Sequence, residues 1–231
     1  MNKSTLKNIV DKIASVNPKY ELGDAVSMTP GLIQFIDNPS EELQIAAVKK
    51  DGRTIKYIQN PSEQIKLTAV KKNGRAIQYI QNPSEQVQLA AVKNDGYAIE
   101  YIQNPSEKVQ LAAVNKYASS IKYIKNPTEK VQLASVNKYG SSIQYIKNPS
   151  EEVQLAAVNN YGSSIQYIQN PSEEIQLASV SQDDGWAIKY IKNPSEEVQL
   201  AAVEQNEHAI QYIKNPSEEV KNLAREKGIN I

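Results

Sequence analysis

The stretch "YIQNPSEQVQLAAVKNDG", residues 79–96, decides the fold because the chain repeats it. It returns as "YIQNPSEKVQLAAVNKYA" at 101–118, "YIKNPTEKVQLASVNKYG" at 123–140 and "YIKNPSEEVQLAAVNNYG" at 145–162. Asn-Pro recurs at Asn38, Asn60, Asn82, Asn104, Asn126, Asn148, Asn170, Asn193 and Asn215. The spacing is 22 residues except before Asn193, where "SQDDGWAI" carries one more. This makes eight full units and a truncated ninth, with Asn17-Pro18 as a degenerate unit ahead of them. A fixed period of this length marks an array in which each unit packs only on its neighbours.

Each unit reads as a longer helix, a break and a short helix. Asn is a good N-cap, Pro suits the first helical position, and Glu three residues after Asn completes a capping box. On this reading the column Glu41, Glu63, Glu85, Glu107, Glu129, Glu151, Glu173, Glu196 and Glu218 caps helices rather than moving protons. Gly52, Gly74, Gly96, Gly140, Gly162 and Gly185 read as breakers ending the longer helix. The segment that follows, such as "YAIEYI", is too short for periodicity to separate helix from strand. The nearness of the next Asn-Pro favours helix.

On a helical wheel Val87, Ala90 and Ala91 share one face of the longer helix, and Leu89 and Val92 lie nearly opposite. A helix apolar on two sides belongs between two neighbours. The expected fold is all-α: a right-handed α-solenoid of two-helix repeats over 38–214. Residues 1–37 form an N-terminal cap with Leu6, Ile9, Val10 and Ile13 on one face, and 215–231 a truncated C-terminal cap. Asn222 stands there where other units have Leu or Ile. Polar outer faces on both ends are what a complete, monomeric solenoid requires.

The units resemble short HEAT-like repeats and leucine-rich-variant repeats, in which a helix also starts at Asp/Asn-Pro. "VQLAAVKNDGYAIEY" is similar to uncharacterised helical-repeat families with a "VxLAAVxxNGxALxY" core. The resemblance spans about residues 38–227 and implies binding to other macromolecules.

Composition narrows the classes. Hydrophobic residues make up 40%, enough for a core, and there is no Cys, so disulfides and thiolate metal sites are excluded. "MNKSTLKNIVDKIASV" lacks the apolar centre of a secretory signal, and no apolar run approaches the roughly 18 residues of a membrane span. A soluble, cytoplasmic protein is expected. His208 is the single histidine, and no nucleophile–base motif, zinc motif or phosphate-cradling glycine loop is present. We therefore expect neither an enzyme nor a cofactor, a metal or a membrane partner.

Two uniform ladders remain. One is Gln44, Gln88, Gln110, Gln132, Gln154, Gln176 and Gln199. The other is Tyr57, Tyr79, Tyr101, Tyr123, Tyr145, Tyr167, Tyr190 and Tyr212. Positions identical in every unit cannot read a varied ligand, so Tyr is expected to pack between repeats and Gln to bond along the stack. The varied position is the start of the short helix: Arg53, Arg75, Tyr97, Ser119, Ser141, Ser163, Trp186 and His208. Tyr117, Tyr139 and Tyr161 stand two residues before the three serines. Aromatic and Arg side chains on an edge are the usual interface anchors.

Charge is unevenly spread although the net charge is zero. Residues 38–147 hold 16 Lys/Arg against 9 Asp/Glu, and residues 148–214 hold 3 against 10. Lys49, Lys50 and Arg53 of "KKDGR" match Lys71, Lys72 and Arg75 of "KKNGR" one unit on, and should form one basic patch. A protein partner is the leading expectation, with nucleic acid on the basic half as the rival, because the acidic half repels phosphate.

Overall fold

A computed structural model describes Asn8, Lys12 and residues 22–230. The expected first cap helix and Asn17-Pro18 lie outside these residues. The described chain is an α-solenoid: ten-residue α-helices such as Glu85–Asn94 alternate with six-residue 3-10 helices such as Gly96–Tyr101, and no described residue is in a strand. Contacts divide it into two compact blocks, one ending at Tyr123 and one beginning at Ile124. Within each block every long helix packs on the next long helix, and every 3-10 helix except Ala118–Tyr123, which ends the first block, packs against two of them.

The second element is a 3-10 helix, and its apolar residues stand three apart. A 3-10 turn eclipses i and i+3, so Ile55 and Ile58, or Ile99 and Ile102, enter the core together. The i+3 bonds are explicit, from Ile102 N–H to Ile99 C=O at 3.0 Å and from Ala98 N–H to Asp95 C=O at 2.8 Å. The intervening Tyr is thereby turned outward. In the long helix Val87, Ala91 and Val92 are fully buried, while Leu89 and Ala90 are only half-buried.

The cap is not where the spacing predicts. Helices start at the Glu itself, and the N-cap is the Ser two residues after Asn: Ser84 Oγ accepts from Val87 N–H at 3.2 Å, and Ser217 from Val220 at 3.3 Å. Asn38, Asn60, Asn82, Asn104, Asn148, Asn170 and Asn215 instead adopt left-handed backbone, with φ between 44° and 55°. Asn tolerates that region better than other non-glycine residues and so makes the turn into the helix. Glu is thus the first helical residue, favourably placed at the positive end of the dipole. It also accepts from the next repeat: Ser62 donates to Glu41 at 2.7 Å and Ser106 to Glu85 at 2.5 Å, with Ser84–Glu63 and Ser150–Glu129 alike. At Glu41, Glu63, Glu85 and Glu129 the carboxylate is structural, but it ties repeats together instead of closing a capping box.

The Gln ladder also bonds differently. Gln88 Nε2 donates to Pro83 C=O of its own repeat at 3.0 Å, and Gln44, Gln110, Gln132, Gln154, Gln176 and Gln199 do the same. Each Gln thus ties down the carbonyl of the turn leading into its helix. Bonds between repeats come partly from two residues that the pattern does not single out. Asn94 donates to Lys71 C=O at 2.9 Å while accepting from Gly74 N–H at 2.7 Å, and Asn160 spans Asn137 and Gly140 identically.

The glycines do not end helices by left-handed caps. The residue before each of Gly52, Gly74 and Gly96 is the extended C-cap, and Gly opens the 3-10 helix. What they share is proximity: a Cβ on Gly74 would lie 2.5 Å from Ala91 C=O of the next repeat, and Gly140 and Gly162 stand equally close to Ala157 and Ser179. Only the repeat with the inserted residue uses positive φ there, at Asp184 (45°) and Gly185 (77°), which absorb the extra length.

Ser164 makes a stability prediction of unusual sign. It is fully buried and its Oγ has no hydrogen-bond partner, whereas the matching Ser142 Oγ donates to Tyr139 C=O at 2.7 Å. An unsatisfied buried hydroxyl costs about 1–3 kcal/mol. Ser164→Ala is therefore expected to raise unfolding free energy by about 1 kcal/mol, and Ser142→Ala to lower it by a similar amount. Urea titration of both variants checks the pair of signs.

Candidate interaction surface

The edge carrying the varied positions is built where the long helix ends and the 3-10 helix begins. In several repeats this junction is closed by an Asx cap: Asp51, Asn73, Asp95 and Asn206 each accept from the N–H two residues on, at 2.9–3.1 Å. Tyr139 and Tyr161 hold the same position, and there the 3-10 helix has no side-chain cap. The two residues stand 57% and 45% exposed on adjacent repeats of the second block. Ser141 and Ser163, expected on the edge, are buried, so in these repeats Tyr rather than Ser meets solvent.

In the first block the aromatic residues gather. Tyr97 stacks on Tyr117 with centroids 5.0 Å apart and meets Tyr123 edge-on at 6.0 Å. The Tyr97 hydroxyl lies 2.7 Å from Ser119 Oγ, and the Lys122 ammonium sits 5.4 Å from the Tyr97 ring centroid. In the second block Trp186 meets Tyr212 edge-on at 5.8 Å, and His208 is exposed beside Glu207.

The basic residues are only partly brought together as expected. Lys49, Lys50, Lys71 and Lys72 end two packed helices and are all exposed. Arg53 and Arg75, however, are engaged. Arg53 grips Asp51 of its own repeat through Nε at 3.1 Å and Nη2 at 3.0 Å, while Arg75 Nε reaches Asp95 of the next repeat at 2.8 Å. Hydrogen bonding from the Arg53 guanidinium holds the Asp51 carboxyl below its ordinary range. The spacing of the basic residues did not reveal these partners, because Asp51 and Asp95 read as turn residues.

The uniform Tyr ladder lies at the other end of the 3-10 helix. Tyr57, Tyr79, Tyr101, Tyr145, Tyr167, Tyr190 and Tyr212 are each 38–42% exposed, so only part of each ring packs. The Lys56 ammonium is 4.7 Å from the Tyr57 ring centroid and 5.9 Å from that of Tyr79, so one cation lies near the rings of two successive repeats. In the second block a groove of about 650 Å³ runs between repeats, lined by Gln166, Gln169 and Asn170 of one and Tyr190, Lys192 and Asn193 of the next.

Among the described residues no group of three His, Asp or Glu side chains is set to hold a metal ion, and no helix is long and apolar enough to cross a membrane. No family model matches the chain, and no curated protein and no solved structure matches it significantly.

Proposed function

We propose that the chain is a non-enzymatic binding module, a scaffold, adaptor or inhibitor, that takes a protein partner along the edge of varied positions. The observation that carries this is the exchange of a capping Asx for an exposed Tyr at 139 and 161. A cap is worth about 1 kcal/mol, and Tyr supplies none there. Departures of this kind from local consistency concentrate at functional positions. Tyr is also among the side chains enriched at interface centres. The likeness of the units to short HEAT-like and leucine-rich-variant repeats supports the same reading. The four free-ended lysines at 49, 50, 71 and 72 favour an acidic surface on the partner.

Stability and binding should then move in opposite directions. Tyr139→Asn with Tyr161→Asn restores the residue type that caps other repeats, so unfolding free energy is expected to rise by up to about 1 kcal/mol per site. Recovery of the partner from the native host, read by quantitative mass spectrometry, is expected to fall at least tenfold. An unchanged set of recovered proteins would sink the assignment of this edge.

A further inference from the structure

The second block sorts its charge by position within the repeat in a way that its net balance conceals. Residues 148–214 hold only three basic side chains, Lys189, Lys192 and Lys214. All three stand at the end of a 3-10 helix or in the turn after it, beside Tyr190 and Tyr212, and all are exposed. Lys147 holds the matching place beside Tyr145. The ten acids of the same span lie elsewhere. Six occupy the first turn of the long helices, beyond the Asn-Pro turn, and Asp183, Asp184, Glu204 and Glu207 lie at the other end of those helices.

The residues between the lysines complete a consistent chemistry. Tyr145, Tyr167, Tyr190 and Tyr212 show ring surface, and the 3-10 helices that carry them pack consecutively. Lys189 holds its ammonium 4.9 Å from the Tyr190 centroid. The groove between the repeats of Tyr167 and Tyr190 is lined by amides, one ring, Lys192 and the apolar Ile165, Ile168, Pro171 and Ile191, without a carboxylate. Ring faces, ammonium groups and amides in a repeating row are what a flexible polyanion of stacked planar groups needs. Because the row is nearly the same in every repeat, it suits a ligand whose sequence is not read.

We propose that this edge of the second block binds single-stranded nucleic acid without sequence preference. Bases stack on the rings of Tyr167, Tyr190 and Tyr212, and phosphates pair with Lys147, Lys189, Lys192 and Lys214. The site differs from the basic N-terminal residues 49–75 and uses other residues than the varied edge, which it adjoins where the Trp186 ring meets that of Tyr212. A duplex does not fit, since its bases are stacked on one another and present no free face to the rings.

The test uses the full chain and fluorescence anisotropy of a labelled oligothymidylate about 20 nucleotides long, several times the footprint of one stacking site. Wild-type affinity is expected to fall about 20–100-fold between roughly 50 and roughly 200 mM salt, as neutralisation of three to five single-strand phosphates requires. Lys189→Gln, Lys192→Gln and Lys214→Gln together should weaken binding at least tenfold and flatten the log–log salt slope by about 2. Tyr167→Leu with Tyr190→Leu should weaken it tenfold or more at unchanged salt slope, while Tyr139→Asn with Tyr161→Asn leaves it unchanged. Should the Leu pair fail to fold, the Lys set, whose three residues are all exposed, still decides. Absence of binding by the wild type, equal affinity for a duplex, equal affinity for polyglutamate, or a Lys-substituted chain that binds as tightly as the wild type would each overturn the proposal.

Discussion

Ile99→Ala should lower the unfolding free energy by about 3–4 kcal/mol. Ile99 is 1% exposed in the 3-10 helix Gly96–Tyr101, which packs against both Glu85–Asn94 and Glu107–Lys116. The substitution removes three methyl or methylene groups where two long helices and a 3-10 helix meet, so no single element can move to fill the cavity. The lost transfer energy and the residual cavity add. In an array joined only between neighbours, the weakened junction also uncouples the repeats on either side. Guanidinium titration should therefore show a lower midpoint and a shallower transition. A shift below about 1 kcal/mol would mean that the junction is loosely packed.

Gly74→Ala should cost about 2–3 kcal/mol although it adds a single methyl group. Its Cβ would lie 2.5 Å from the Ala91 carbonyl oxygen and 3.0 Å from Asp95 Cβ, both on the next repeat. Backbone at that distance cannot yield as a side-chain tip would, so the two repeats must separate. Separation strains the Asn94 bridge to Lys71 and Gly74 as well. Gly23→Ala is the internal control. Nothing lies within 4 Å of its Cβ, and Gly23 sits inside the helix Leu22–Met28. That change should stabilise by up to about 1 kcal/mol through helix propensity alone. Ala118 and Glu207 hold the glycine column in two other repeats, so the requirement follows the local contact distance rather than the column as such. Thermal unfolding of the two variants, one falling and one holding or rising, distinguishes close approach from a general need for glycine.

The array, its period and the alternation of a long with a short helix are legible in the sequence because each rests on a pattern repeated many times. The cap is less legible for a physical reason. Asn and Ser both cap helices well and stand two residues apart, on either side of Pro, so the pattern admits either. The left-handed φ of Asn settles it, and backbone dihedrals are not written in residue type. The 3-10 geometry is hidden similarly, since Ile99 and Ile102 share a face in either helix type. Burial on the edges depends on how closely the next repeat comes. This is why Ser141 and Ser163 sink into the core while Tyr139 and Tyr161 remain outside, and why Arg53 and Arg75 spend their charge on Asp51 and Asp95. The segregation of lysines beside the Tyr ladder was readable from the start. The net charge of each half of the chain does not show it, because the acids stand at other positions of the same repeats.

The central claim is that the residues locking repeats together and the residues offered to ligands are different sets. It is tested most directly by guanidinium titration of one chain carrying Tyr139→Asn, Tyr161→Asn, Lys189→Gln, Lys192→Gln and Lys214→Gln. This chain lacks both proposed binding edges and keeps every buried Ile, Val and Ala, the close glycines and the Ser–Glu ladder. The account predicts an unfolding free energy equal to the wild type within about 0.5 kcal/mol or above it, at unchanged denaturant dependence. A loss of more than about 1 kcal/mol, or a shallower transition, would contradict it by showing that these side chains hold the stack.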